Sequence, residues 1–164
     1  MLFNSYIFIL VFLPLTSYLF FFIHNKINTY SAKIFLIISS LFFYSWFKIT
    51  YLPLIIFSIL INYIIGNYIS FLKDRNNDKS KFYLQIGILI NLFALIFFKY
   101  SDFIIKNINL IFNTEIKLLN IGLPLAISFF TFQQIAFLVD NYKNDFKKYN
   151  FTNYALFISF FPQL

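Results

Sequence analysis

The sequence predicts an all-α fold, a multi-pass transmembrane helical bundle. Of its 164 residues, 60% are hydrophobic and only 12% are charged, whereas soluble proteins contain roughly 45–50% apolar and about 25% charged residues. So few charged side chains cannot cover the surface of a soluble domain of this size. The apolar residues also fall into long runs that short polar segments separate. Lipid is therefore the solvent expected for much of the surface.

These runs predict five membrane spans and part of a sixth. A transmembrane helix needs about 20 predominantly apolar residues. The runs lie at about 5–23, 34–47, 51–70, 82–98 and 123–142, with a partial span at 151–164. Pro14 lies inside the first span and predicts a kink there. Tyr44 and Trp46 at the end of the second span are predicted to belong to an interfacial aromatic belt.

Residues 101–117 show a different pattern from the spans. One predicted helical face carries apolar side chains, at Ile104, Ile108, Ile111 and Phe112. The opposite face is polar, with Lys106, Asn109 and Asn113. This pattern predicts an amphipathic helix that lies in the membrane interface. A short inner helix packed against the bundle fits the pattern equally well.

The distribution of basic residues predicts an orientation. The loops after the first, third and fifth spans together contain nine Lys and Arg residues, and the other side contains four. Cytoplasmic loops carry the excess of basic residues in membrane proteins. The nine-residue side is therefore expected in the cytoplasm, and the N-terminus is expected outside it.

Composition excludes several kinds of chemistry. There is no cysteine and a single histidine, His24, so a Cys/His metal cluster and a cysteine nucleophile are both impossible. Most of the six acidic residues lie in loops, and no paired carboxylates stand out. The net charge of +7 resides in short loops between apolar runs, which indicates a membrane surface and no nucleic-acid partner. No catalytic residue and no metal ligand is therefore predicted in this chain.

Polar side chains inside the spans are the candidate functional residues, because polar groups in a bilayer are costly and often mark a pathway or site. The fifth span is the richest in them, and the third contributes one. The candidates for lining a substrate passage are Ser128, Thr131, Gln133, Gln134, Asp140 and Asn62. The alternative is that they form hydrogen bonds between helices, at about 0.6 kcal/mol per contact, and spacing alone favours that alternative.

Several motifs, in order along the whole chain, resemble bacterial membrane-bound O-acyltransferases of the alginate and peptidoglycan O-acetyltransferase branch. The most specific one reads Leu-Pro-Leu-Ala-Ile-Ser-Phe-Phe-Thr-Phe-Gln over residues 123–133, and Asp140-Asn-Tyr-Lys follows it. The family usually has Gly where this chain has Ala126 and Tyr where it has Phe130, and both exchanges are expected to be mild. Further similar segments lie at residues 1–14, 40–46, 51–52, 59–66, 97–100 and 154–163.

This resemblance implies a ring of transmembrane helices around a funnel. It implies transfer of an acetyl group from a donor such as acetyl-CoA, which is not a resident cofactor, to hydroxyls of an extracytoplasmic polysaccharide. The expected partners are the lipid bilayer, the donor, the glycan acceptor and an extracytoplasmic partner acyltransferase, and the expected location is the bacterial cytoplasmic membrane. The family's catalytic histidine belongs to a later part of its sequence, which His24 does not match.

The chain is accordingly predicted to be the N-terminal part of such an enzyme and inactive by itself. The alternative is a non-enzymatic multi-pass membrane protein, either a small transporter half or an assembly subunit. A transporter is expected to contain a discontinuous helix or a charged site at the membrane midplane, and the sequence shows neither clearly.

Overall fold

A computed structural model describes residues 5–75, 78–143 and 150–163, of which 85% are helical. It contains no strand in these ranges. The α-helices are α1 (Leu13–Lys26), α2 (Thr29–Phe47), α3 (Leu52–Asp74), α4 (Lys79–Phe112), α5 (Ile127–Lys143) and α6 (Phe151–Ser159). The predicted all-α, multi-pass class is confirmed.

Among the described residues, three helical stretches are long and apolar enough to cross a membrane: Phe8–Lys26, Ile49–Asp74 and Lys79–Phe112. The spans predicted at α2, α5 and α6 stay predictions. The helix predicted to run over 151–164 is shorter, because α6 ends at Ser159 and a 3-10 turn follows at Phe161–Gln163. Proline disfavours helical geometry in the residue before it, and Pro162 therefore accounts for the early end.

The fourth span and the amphipathic segment were predicted as separate elements, and that division is wrong. Residues 79–112 form one helix of 34 residues. No Gly or Pro follows Gly87 within it, so nothing breaks the backbone hydrogen bonds between the two parts. The helix ends at Phe112, five residues before the predicted end, because Asn113 adopts a left-handed φ of 48°. At 1.5 Å per residue α4 is about 51 Å long, which exceeds the ~30 Å hydrocarbon core.

One compact unit consists of Met1–Ile64 and Phe146–Leu164. Its core is a cluster of aromatic rings from α2, the first helical stretch and the C-terminal turn. Ring centroids lie 5.2 Å apart for Phe8 and Phe43, and 5.2 Å apart for Phe12 and Phe161. Tyr44 shares the inward face of α2 and is only 1% exposed, whereas Trp46 is 59% exposed. The placement of Tyr44 in an interfacial belt is therefore wrong.

Pro14 is accommodated by a change of helix type in the preceding residues. A π-helical turn over Phe8–Phe12 leads directly into α1. Such wider turns absorb an interruption of the regular hydrogen-bond ladder. The Thr16 hydroxyl donates to the carbonyl oxygens of Phe12 at 2.7 Å and Leu13 at 3.0 Å. Thr16 therefore binds two carbonyl groups in the same turn as Pro14.

The other compact unit is Ile65–Asp145 and contains the end of α3, α4 and α5. The amine of Lys73, at the end of α3, lies 4.6 Å above the ring of Tyr142 at the end of α5. At the opposite end of α5, the amine of Lys99 donates to the Ser128 hydroxyl at 3.4 Å. In this unit α4 therefore runs antiparallel to both α3 and α5.

The connector from α4 to α5 is tied to α4 by side-chain hydrogen bonds. The backbone N–H groups of Leu119 and Asn120 donate to Asp102 Oδ1 at 2.8 and 3.2 Å. Asn109 accepts from the Ile116 N–H at 3.0 Å and donates to its carbonyl oxygen at 2.9 Å. Asn109, one of the polar residues that predicted an amphipathic helix, thus joins Asp102 in holding the connector against α4.

Candidate functional site: the buried polar face of α5

The buried residues of α5 recur every three or four positions and therefore share one helical face. They are Ile127, Phe130, Thr131, Gln134, Phe137, Leu138 and Asn141. This face carries both polar and apolar side chains, and we call it the α5 polar face. It packs against α4 and the end of α3 within the Ile65–Asp145 unit.

Two of the predicted site residues lie on this face. Thr131 is 2% exposed and Gln134 is completely buried. Three others, Ser128, Gln133 and Asp140, are half-buried beside it. Of the five candidate residues on α5, two are therefore buried on the α5 polar face and three lie at its margin.

Asn62 belongs to the other compact unit. It is 1% exposed, and its side-chain amide donates to the Ser58 carbonyl oxygen one turn earlier at 2.9 Å. Its membership of a common passage with the α5 residues stays a prediction.

Two glycines allow the α5 polar face to approach its neighbours closely. A Cβ at Gly66 on α3 would clash with the ring of Phe137 and lie 3.3 Å from the Asn141 side-chain nitrogen. A Cβ at Gly87 on α4 would lie 2.7 Å from Leu138 Cδ1. Small residues at such crossings are typical of helix packing in membranes. The glycines therefore set how near the polar side chains of α5 come to α3 and α4.

Sequence reasoning omitted two buried asparagines from the site. Asn141 is 8% exposed and donates to the Phe137 carbonyl oxygen at 2.7 Å, and Asn91 is 4% exposed and donates to that of Gly87 at 2.8 Å. The signal for Asn141 was its spacing, since it follows Gln134 by seven residues on the same face. With Thr131 and Gln134 these side chains form an uncharged polar set, which suits hydrogen bonds to a neutral polar group.

A second omitted feature lies in the Met1–Ile64 and Phe146–Leu164 unit. Ser40 and Tyr44 are 0% and 1% exposed and lie one turn apart on α2. The Ser40 hydroxyl accepts from the Phe161 N–H at 3.2 Å. The Tyr44 hydroxyl has no hydrogen-bond partner in the described part of the chain. Their i, i+4 spacing in an apolar run was the available signal.

The start of α5 contains a strained residue. Ala126 has a φ of 53°, a left-handed conformation that costs a residue with a Cβ roughly 1–2 kcal/mol. This is the position where the resembling family usually has glycine. The exchange was expected to be mild, and the structure instead shows a conformational cost.

We expect Ala126→Gly to stabilise the folded chain by about 1 kcal/mol, because glycine adopts positive φ without this strain. Ala136→Gly is the matched control, since Ala136 is exposed on the helical part of α5. That substitution is expected to destabilise by about 1 kcal/mol. Thermal unfolding of both variants in detergent checks the prediction, and equal destabilisation by the two would contradict it.

The titratable groups do not assemble into a metal centre within residues 5–75, 78–143 and 150–163. No three His, Asp or Glu side chains come close enough there to hold a metal ion. His24 is exposed at the end of α1, and its ring stacks on Phe20 at 6.0 Å. This part of the chain thus offers hydrogen-bonding groups in a buried setting.

Comparison with known proteins is informative at this point. The chain is 38% identical to a peptidoglycan O-acetyltransferase of Helicobacter pylori, over all of this chain and 36% of the relative. It is 30% identical to the probable alginate O-acetylase AlgI of Pseudomonas aeruginosa and 31% identical to that of Azotobacter vinelandii, again over its whole length. No protein-family model and no solved structure matches the chain.

The chain is a homologue of proteins named peptidoglycan O-acetyltransferase and alginate O-acetylase. It spans about a third of the length of the curated relatives that it matches. The resemblance found from the motifs is thereby confirmed. The alternative of a non-enzymatic transporter half or assembly subunit is not favoured.

Proposed function

We propose that this chain forms part of a membrane O-acetyltransferase that acetylates hydroxyl groups of an extracytoplasmic polysaccharide. The observation that carries the proposal is the similarity of the entire chain to proteins named peptidoglycan O-acetyltransferase and alginate O-acetylase. The helical membrane fold and the buried α5 polar face support it. Peptidoglycan and alginate are the acceptors that the names of the relatives indicate.

The chemistry is attack of a sugar hydroxyl on the carbonyl carbon of an acetyl donor. With a thioester donor such as acetyl-CoA, a C–O bond forms, the C–S bond breaks and the hydroxyl proton passes to a base. An alcohol is a weak nucleophile until a positioned base accepts its proton. His24 is exposed and stacked on Phe20, so we do not assign it this task. We expect the base to come from a part of the enzyme that this chain does not span.

Within such an enzyme, we assign the α5 polar face to the wall of the transfer passage. Thr131 and Gln134 present a hydroxyl and an amide where water is largely excluded, and hydrogen bonds are stronger in such an environment. Ser128, Gln133 and Asp140 would extend the wall along α5, and a role for Asn62 in the passage stays a separate prediction. An extracytoplasmic partner acyltransferase would complete delivery to the polymer.

For the location we propose a bacterial cytoplasmic membrane with the N-terminus outside the cytoplasm. Lys73 on α3 and Lys143 on α5 lie at the same end of the Ile65–Asp145 unit, as the packing of Lys73 on Tyr142 requires. Lys79 and Lys81 lie at the beginning of α4, the helix that runs antiparallel to both. A concentration of basic residues at one end supports placing that end in the cytoplasm.

A chimera tests the proposed function. The matching third of the Helicobacter pylori peptidoglycan O-acetyltransferase is replaced by this chain in a strain that lacks the enzyme, and base-released acetate from purified peptidoglycan is measured. We expect the chimera to restore acetyl esters and this chain alone to restore none. A chimera that accumulates in membranes at the level of the parent enzyme, yet leaves the peptidoglycan unacetylated, would refute the proposal.

A further inference from the structure

An apolar groove lies within the unit formed by Met1–Ile64 and Phe146–Leu164. Its volume is about 320 Å³, and its walls come from α2, α3 and α6. The α2 wall consists of a single row at helical spacing, Tyr30, Ile34, Ile37 and Leu41. Ile56 and Ile59 of α3 and Ala155 of α6 face this row. The lining is mostly apolar, so the groove suits a hydrocarbon chain better than a polar substrate.

The length of the groove matches one leaflet of a bilayer. Leu41 follows Tyr30 by eleven positions, which corresponds to roughly 16 Å along the helix axis. The hydrocarbon core of a membrane is ~30 Å thick, so each leaflet accounts for about 15 Å. A lipid chain that enters from one leaflet would therefore extend along the whole groove.

One end of the groove is cationic. The Lys33 amine lies in the same turn of α2 as Tyr30 and donates to Asn153 Oδ1 at 2.8 Å. Asn153 follows Thr152, a residue of the groove wall. The amide oxygen of Asn153 is neutral, so this hydrogen bond does not neutralise the charge on Lys33. No acidic residue precedes Asp74 in the sequence, so no nearby carboxylate from α1 or α2 competes for that charge.

We propose that this groove binds an anionic phospholipid, with one acyl chain along the α2 row and the headgroup phosphate at Lys33. Hydrocarbon walls and a cation at one end complement the two parts of such a lipid. The predicted orientation places this end at the cytoplasmic leaflet, where anionic lipids attract basic residues. The site is separate from the α5 polar face, and the proposal does not depend on the acetyltransferase function.

Native mass spectrometry of the full chain in detergent tests the proposal. The delipidated chain is titrated with phosphatidylglycerol or phosphatidylcholine, and the lipid-bound fraction is measured. We expect retention of phosphatidylglycerol in preference to phosphatidylcholine. Lys33→Gln should lower that preference by roughly fivefold, because one cation near the headgroup is lost.

Two tryptophan substitutions test the groove itself. Ile37→Trp fills the groove and should weaken phosphatidylglycerol binding by roughly tenfold or more, because several methylene groups lose their burial. Ile38→Trp is the matched control, since Ile38 is 61% exposed on the same helix and lies outside the groove. Helix content by circular dichroism verifies that both variants fold.

Three results would overturn the proposal. One is equal binding of the two lipids to the unaltered chain. Another is equal loss of binding in the two tryptophan variants. The third is binding of phosphatidylglycerol to Lys33→Gln as strongly as to the unaltered chain. This third result would overturn the proposal by itself if Ile37→Trp does not fold.

Discussion

Gly66→Leu is expected to destabilise the chain by about 3 kcal/mol, the upper end of the range for overpacking a buried site. Already a Cβ at Gly66 clashes with the Phe137 ring, and Asn141 lies beside it. Because Phe137 of α5 is 5% exposed and meets α3 at Gly66, the ring cannot move aside without separating the helices. Thermal unfolding of the purified chain in detergent is the measurement, and the midpoint should fall by on the order of 10 °C.

The same substitution at Gly122 is the control. Gly122 is exposed in the connector and does not adopt positive φ, so Gly122→Leu should change the midpoint little. The double variant Gly66→Ala with Phe137→Leu should recover part of the stability that Gly66→Ala loses, since the ring that meets the new Cβ is gone. Equal midpoints for Gly66→Leu and Gly122→Leu would show that α3 and α5 do not meet at this position.

The second large effect is expected on acetyl transfer. In the chimera, Gln134→Leu should lower the acetyl-ester content of peptidoglycan by about tenfold. Leucine fills a similar volume but cannot hydrogen-bond, and a tenfold effect corresponds to ~1.4 kcal/mol, near the upper end for one hydrogen bond. The cost in stability should be near 0.6 kcal/mol, the average for a polar contact between membrane helices.

Phe132→Leu is the control for this experiment, because Phe132 is 64% exposed on the opposite face of α5. It should leave both ester content and protein level unchanged. The prediction fails if Gln134→Leu lowers thermal stability or protein level while acetylation per molecule stays at the parental value. That outcome would assign Gln134 to helix packing alone, the alternative that its spacing favoured.

The fold class followed from composition and from apolar runs. A helix that lipid surrounds needs about 20 predominantly apolar residues, and such runs are visible in the sequence. Boundaries were harder to predict. Ser101 and Asp102 resemble an interruption, yet the backbone of α4 continues through them, since neither removes a hydrogen bond as proline would. Asn113 ends the helix by adopting a left-handed conformation. Asparagine can adopt this conformation but does not always do so, and its presence alone therefore does not predict a helix end.

The site was predictable to the extent that helical spacing determines a face. Gln134 follows Thr131 by three positions, and both are buried on α5. Spacing could not show that Gly66 and Gly87 bring α3 and α4 against that face, because these contacts join residues that are distant in sequence. Nor could it show that Ala126 has a positive φ, since alanine itself gives no sign of that conformation.

In this account α4 crosses a membrane. The connector before α5 therefore lies on the opposite side of the membrane from the basic ends of α3 and α5. The absence of cysteine allows single cysteines to report on this directly. Asp78→Cys and Glu115→Cys form a matched pair, because both side chains are exposed acids just beyond the two ends of α4. Labelling of intact cells with a membrane-impermeant maleimide should modify Cys at 115 at once and Cys at 78 only after permeabilisation. Equal labelling of both positions in intact cells would contradict the account.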